Sequence, residues 1–283
     1  MNTNPTTNGS HLSSGSTPCK NHLNFPAVDG MQQPLNTPAT AKRPIVILGP
    51  TTVGKTEVAF GLARRLNATV INADKFYLYD ALPEVTGQSD ADQYPDITSH
   101  LYGRLQPDDA LWSSNRYRAE LRGCLAEAAE RNQQIIVEGC SNALVRVAIE
   151  TLSSTATCEA EQPLLIGLQW RHRAQLPADC AGRAGRMFAA GMSRSFDQAC
   201  RERMQETYLL RKCFAREPLL ALQRRSLSRS TCQERVAELL ERHAHRHHER
   251  MSRIPKVAWL DHDRRQVAAT VTRILTIHGQ PTN

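Results

Sequence analysis

Eight consecutive residues carry the most pointed chemistry in the chain: Gly49-Pro50-Thr51-Thr52-Val53-Gly54-Lys55-Thr56 fits G-x-x-x-x-G-K-[ST] at every defined position. Glycines at both ends let the backbone turn tightly enough for successive N–H groups to converge on phosphate oxygens. A helix starting at the end of the loop adds partial positive charge there. Lys55 brings a full charge to the terminal phosphates, and Thr56 supplies a hydroxyl of the kind that ligates Mg²⁺. The ligand is therefore expected to be a diphosphate or polyphosphate, but ATPases, kinases and other transferases all use such a loop. Two carboxylates narrow the field. Asp74, in Ile71-Asn72-Ala73-Asp74-Lys75, is suited to be a general base toward a hydroxyl or an amine, or a metal ligand. Glu138, in Val137-Glu138-Gly139-Cys140-Ser141-Asn142, is a candidate for the carboxylate beside Mg²⁺. Gly139 leaves room for a substrate to approach the backbone. Ser141 and Asn142 are candidates to contact that substrate or to cap the helix that follows.

These residues need a frame that brings them to one edge. Ile45-Val46-Ile47-Leu48 is a short apolar run ending in the glycine turn, the signature of a buried parallel strand. Val58, Leu62 and Leu66 place a helix over 55–66. Further strands are expected over 69–71, 134–137, 164–168 and 257–260. Helices are expected over 112–132, with Ser113 or Ser114 as cap, and over 264–278. From 195 to 248 the chain reads as almost wholly helical and basic. Strands alternating with helices predict an α/β fold: a P-loop NTPase-like parallel sheet flanked by helices, with a mostly helical C-terminal part. Asp74 would then lie at the carboxyl end of its strand, beside the phosphate loop, where ligands bind in such sheets.

Residues 1–43 are rich in Ser, Thr, Asn, Pro and Gly with almost no charge, and predict a disordered leader ahead of one folded domain over 44–283. The leader is either a targeting or secretion segment or a tail without function. The net charge of +7 favours phosphate-bearing partners, although arginine-rich, solvated helix faces account for such a balance equally well. The 8 cysteines form no CxxC pair, so neither a zinc ribbon nor a thioredoxin-type site is indicated and a reduced, cytoplasmic setting is expected. No apolar run is long enough to span a membrane. His243, His245, His247 and His248 are spaced so that immediate neighbours fall on different helix faces, which argues against a shared metal.

Taken in order, the motifs resemble the isopentenyltransferase family, which moves a dimethylallyl group onto N6 of adenine. The phosphate loop is similar to that family's G-[PA]-T-x-x-G-K-[ST], including Thr51. Asn72-Ala73-Asp74-Lys75 with Tyr79 resembles the N-S-D-K-x-x-x-Y stretch of its adenylate branch, and Glu138 to Asn142 resembles the third-strand motif. Weaker likenesses occur at Leu82–Thr86, His100–Gly103, Arg183–Met192 and Trp259–Asp261. The resemblance implies that the loop holds the diphosphate of a prenyl donor such as dimethylallyl diphosphate. It further implies that Asp74 is the base on the adenine amine, and that Lys55, Thr51, Arg183 and Mg²⁺ stabilise departing pyrophosphate. Two departures stand out: Gln88 where a Lys or Arg is usual, and Cys140 where the pattern has Gly.

One branch of that family modifies tRNA and the other modifies free AMP, ADP or ATP, making cytokinins. The interval Ala143–Pro163 is too short for the helical insertion with which the tRNA enzymes grip the anticodon arm, which implies a free adenine nucleotide as acceptor. Arg201, Arg203, Arg211, Lys212, Arg224, Arg225, Arg242 and Arg246 point the other way, toward an RNA backbone. Outside the family, a small-molecule P-loop kinase would use Asp74 on a hydroxyl and Arg183 and Arg186 as a lid. A nucleotide-binding protein without activity is the remaining reading, with Gln88 in its favour. Oligomeric state is not legible.

Overall fold

The computed structural model describes residues 43–87 and 93–279. The expected leader, apart from Arg43, and Gln88 lie outside the described residues.

Six strands form one sheet among those residues, every neighbouring pair parallel, in the order β3-β2-β4-β1-β5-β6. They are β1 (Ile45–Leu48), β2 (Ala68–Asn72), β3 (Ser99–His100), β4 (Gln134–Gly139), β5 (Leu164–Trp170) and β6 (Ala258–His262). The apolar run of β1 is buried throughout, with β4 and β5 on its two sides. Successive residues serve opposite faces, as the strand period demands. Ile45 and Ile47 join one core with Val58, Leu62 and Phe188, while Val46 and Leu48 join another with Tyr117, Leu121 and Val145.

Helices cover both faces, which is why the strands read as continuous apolar runs rather than as alternation. They are α1 (Lys55–Leu66), the single turn α2 (Pro83–Thr86), α3 (Ser114–Glu130), α4 (Asn142–Thr155), α5 (Leu176–Ala190), α6 (Met192–Arg201), α7 (Tyr208–Arg211), α8 (Arg216–Gln223), α9 (Arg229–Met251) and α10 (Val267–His278). Ser113, not Ser114, caps α3, accepting the Arg116 N–H. The stretch 195–248, expected as almost wholly helical, is broken between α6, α7, α8 and α9, where Arg203 and Arg225 take left-handed backbone angles. Those breaks let α9 turn back and pack along α5. The last strand starts one residue later than expected and runs two further, through His262.

Candidate active site

The carboxyl ends of β1, β2 and β4 lie side by side, and each delivers one part of the predicted site. After β1 the loop 49–54 turns with φ of +147° at Gly49 and +95° at Gly54. At Gly49 a side chain would also run into the Leu168 carbonyl of β5, so glycine is required there twice over. Lys55 and Thr56 begin α1, only 8% and 6% exposed. The Lys55 ammonium donates to the Pro50 carbonyl at 2.9 Å, which folds it back over the loop.

After β2, Asp74 is held on every side. The Asn72 side chain accepts the Asp74 N–H at 2.7 Å and donates to its carbonyl at 2.9 Å. The Phe76 N–H reaches Oδ1 of Asp74 at 3.0 Å, and the Cys140 thiol lies against Oδ2, facing it as a donor. Tyr117 steadies the turn from below by donating to the Asn72 carbonyl at 2.9 Å. Asp74 is 6% exposed, with that edge turned to the cavities described below.

After β4, Glu138 is 1% exposed. Its Oε1 accepts from the Tyr102 hydroxyl at 2.8 Å and from the Thr56 hydroxyl at 3.4 Å. Burial pushes its carboxyl above the usual carboxylate range, while Lys55 and the Tyr102 hydrogen bond pull the other way. Two expectations about this strand end need correction. Gly139 does not open the backbone to a substrate: a Cβ there would strike the Ala73 carbonyl, so glycine is needed for the ends of β2 and β4 to touch. Ser141 stands at the N-cap of α4, but its hydroxyl accepts the Lys75 N–H at 2.9 Å instead of capping the helix. Asn142 opens α4, and its side-chain oxygen accepts from Arg146 at 3.3 Å.

Arg183 comes from α5 and closes the loop from above. One nitrogen donates to the Thr51 hydroxyl at 3.0 Å and another to the Gly87 carbonyl at 2.7 Å, where the Tyr77 hydroxyl also donates at 3.0 Å. Arg264, just after β6, pairs with Glu57 of α1 at 2.5 Å.

Two cavities meet at these residues. One, of about 480 Å³, lies over the phosphate loop and is lined by Lys55, Thr56, Glu138, Arg183, Arg186 and Arg264. The other, of about 300 Å³, is walled by Lys75, Phe76, Lys212, Phe214 and the α9 residues His243, Arg246, His247 and Arg250. Thr51, Asp74, Tyr77, Cys140 and Arg183 border both. The histidines do divide between faces: His243 and His247 line the second cavity, whereas His245 and His248 pack against Trp170. No group of His, Cys, Asp and Glu able to hold a metal ion by itself occurs among the described residues. Sequence reasoning missed Tyr77, Tyr102, Phe214 and the cavity face of α9. An i, i+3, i+4, i+7 pattern of polar residues (His243, Arg246, His247, Arg250) was the available signal for the last.

The isopentenyl transferase family matches residues 43–190 of the chain, from the strand before the phosphate loop through α5. The chain belongs to that family. It is 35% identical over 99 residues to a tRNA dimethylallyltransferase of Bacillus velezensis, covering 35% of this chain and 31% of that protein. It is 30% identical over 105 residues to adenylate isopentenyltransferase 8, chloroplastic, of Arabidopsis thaliana, covering 37% and 32%. The matches thus span about a third of the length of these curated relatives. The crystal structure of a tRNA isopentenylpyrophosphate transferase from Bacillus halodurans shares the fold, with a TM-score of 0.70 over 84% of this chain and 97% of that one, at 15% identity. No helix among the described residues is long and apolar enough to cross a membrane.

Proposed function

We propose that this isopentenyl transferase moves a dimethylallyl group from dimethylallyl diphosphate to N6 of the adenine of a free nucleotide (AMP, ADP or ATP), releasing pyrophosphate and forming a cytokinin precursor. The observation that carries this reading is the position of Asp74 on the border between a phosphate-binding cavity and a second, basic cavity.

The donor's diphosphate lies along the loop N–H groups, against Lys55 and Arg183, with its prenyl carbon directed to that border. The C1–O bond to the diphosphate breaks, the N6–C1 bond forms, and the N6 proton passes to the Asp74 carboxylate. The amine lone pair is delocalised into the purine, so a base that accepts the proton as the bond forms lowers the barrier. Charge builds on the leaving oxygen, and Lys55, Thr51 and Arg183 answer it from fixed positions. Thr56 and Glu138 bring two hard oxygens together beside the loop, a donor set that fits Mg²⁺. When bound there, the ion would neutralise diphosphate charge.

Two features support a free nucleotide as acceptor. The segment between β4 and β5 holds only α4 and one short turn, Glu159–Glu161, with no inserted helical arm. Lys212, Arg246 and Arg250 give the second cavity a cationic rim for the nucleotide's phosphate. The exposed Arg201, Arg203, Arg211 and Arg224 favour tRNA as the second reading.

Mass spectrometry decides between them. The protein is incubated with Mg²⁺ and dimethylallyl diphosphate, and separately with AMP, ADP, ATP or unmodified tRNA. An adduct about 68 Da heavier, one C₅H₉ group gained for one N–H hydrogen lost, is expected on a free nucleotide. An adduct on tRNA alone would replace the first reading by the second, and no adduct with any acceptor would refute both.

A further inference from the structure

Asp74 can act as a base only if one of its carboxylate oxygens is held toward the acceptor amine. Its main chain is pinned by Asn72, but the carboxylate itself has two holds: the Phe76 N–H on Oδ1 and the Cys140 thiol on Oδ2. The first comes from the same turn and moves with it. The second comes from a different strand and ties the carboxylate to the rest of the sheet. Cys140 reaches that far because Gly139 lets the β4 end close onto Ala73, and because the Ser141 hydroxyl binds the Lys75 N–H one residue further on. Asp74 and Cys140 both face both cavities.

We propose that Cys140 is a positioning residue for Asp74: its thiol holds Oδ2 at the border of the two cavities, ready for the acceptor amine. The inference rests on the prenyl-transfer reading given above. A carboxylate oxygen carries two lone pairs, so the thiol engages one and leaves the other for the N6 proton. The thiol keeps its own proton throughout. The family-like pattern has Gly at this position, which offers no donor, so this chain carries a hold on its base that the pattern lacks.

The test uses Cys140→Ala, Cys140→Gly and Cys140→Ser in the full chain. Turnover is measured with dimethylallyl diphosphate and AMP, and thermal melting confirms folding. Ala and Gly are expected to lose about tenfold in kcat, the scale of a misaligned reacting group. Both KM values should stay within about twofold, since neither substrate's binding is touched. Ser, which keeps a donor, should return kcat to within about threefold of wild type. Unchanged or higher kcat in the Ala variant overturns the proposal, as does a loss confined to KM or a Ser variant as slow as Ala.

Infrared difference spectroscopy, wild type minus Cys140→Ser, supplies a readout that needs no turnover. The S–H stretching band should lie on the low-frequency side, as for a hydrogen-bonded thiol, and should move in Asp74→Asn. A band indifferent to Asp74→Asn refutes the positioning role whatever the kinetics. Absence of any adduct from the wild-type protein, by contrast, refutes the prenyl-transfer reading and leaves the infrared result to judge the thiol contact alone.

Discussion

The two cavities that share Asp74 are made of different material. The one over the phosphate loop has as its floor a run of near-adjacent residues, Thr51 to Glu57, stiffened by the buried strand and helix on either side, with Glu138, Arg183, Arg186 and Arg264 completing its walls. The second is built from side chains that converge from the turn after β2, from the segment around Lys212 and Phe214, and from one face of α9, with Ser141 and Arg183 beside them. Backbone N–H groups recognise phosphate in the same way whatever is attached to it. Side chains, on the proposed reading, recognise the particular molecule that carries the reacting amine. The division predicts that donor binding, chemistry and acceptor choice respond to separate substitutions.

Asp74→Ala should give the largest effect. It should lower kcat by about 10³-fold, within the range for removal of a general base, and leave dimethylallyl diphosphate binding nearly intact. Single-turnover kinetics and a donor binding titration check the two halves of that statement. If donor binding collapsed as well, Asp74 would belong to the phosphate cavity rather than to the border.

Lys55→Ala and Arg183→Ala come next. Each should lower kcat by about 10²-fold and weaken pyrophosphate binding, the usual result of removing one fixed charge from a developing anion. Arg183→Ala also frees the loop from the Gly87 carbonyl, so Arg183→Lys should recover little of the loss.

Smaller effects are expected from the second cavity. Arg246→Ala and Arg250→Ala should each raise the KM for AMP by about tenfold, the scale of a lost charged hydrogen bond, and leave adenosine unaffected. A matching rise in the KM for dimethylallyl diphosphate would break the division outright.

The smallest effect concerns acid. Burial, with the cations Arg246, Lys75, Arg250 and Arg242 around it, pushes His243 down to about 4. Burial likewise pushes His247 down to about 4, with Lys55 and His243 adding to the shift and Asp74 opposing it. The unfolded chain protonates these rings near the ordinary value of 6.5, so between 6.5 and about 4 it binds more protons than the folded one. Stability from this source is therefore complete above pH 6.5 and falls as the pH drops through that window. A melting series against pH should show the decline, and His243→Gln should flatten it.

The contrast between the cavities also explains what could be read in the residues. The phosphate loop, its strand and its helix were legible because period, glycine placement and helix start all lie within a few residues of one another. Asp74 and Glu138 were legible as residues ending buried strands, since parallel topology brings such ends together. The role of Gly139 was not, because the need for glycine comes from Ala73, just past the end of β2, and a single sequence carries no record of that contact. Ser141 looked like a cap because it stands where caps stand; the competing donor, the Lys75 N–H, belongs to a loop far away in the chain. The wall made by α9 was hidden for the same reason: arginines and histidines four apart on a helix look alike facing water or a ligand. Even β3, two residues long, exists only through its pairing with β2.

The family match ends at Ala190, and α9 begins well beyond it, at Arg229. The phosphate loop therefore lies inside the matched stretch, whereas the α9 side of the second cavity lies outside it and faces Asp74, Lys75 and Phe76, which lie inside. On the proposed reading, drift along α9 can change which molecule is accepted without rebuilding the phosphate loop. Divergence in this lineage should accordingly be uneven, slow around the loop and fast along one stripe of a single helix. Grafting that stripe is the shortest engineering route to a new acceptor.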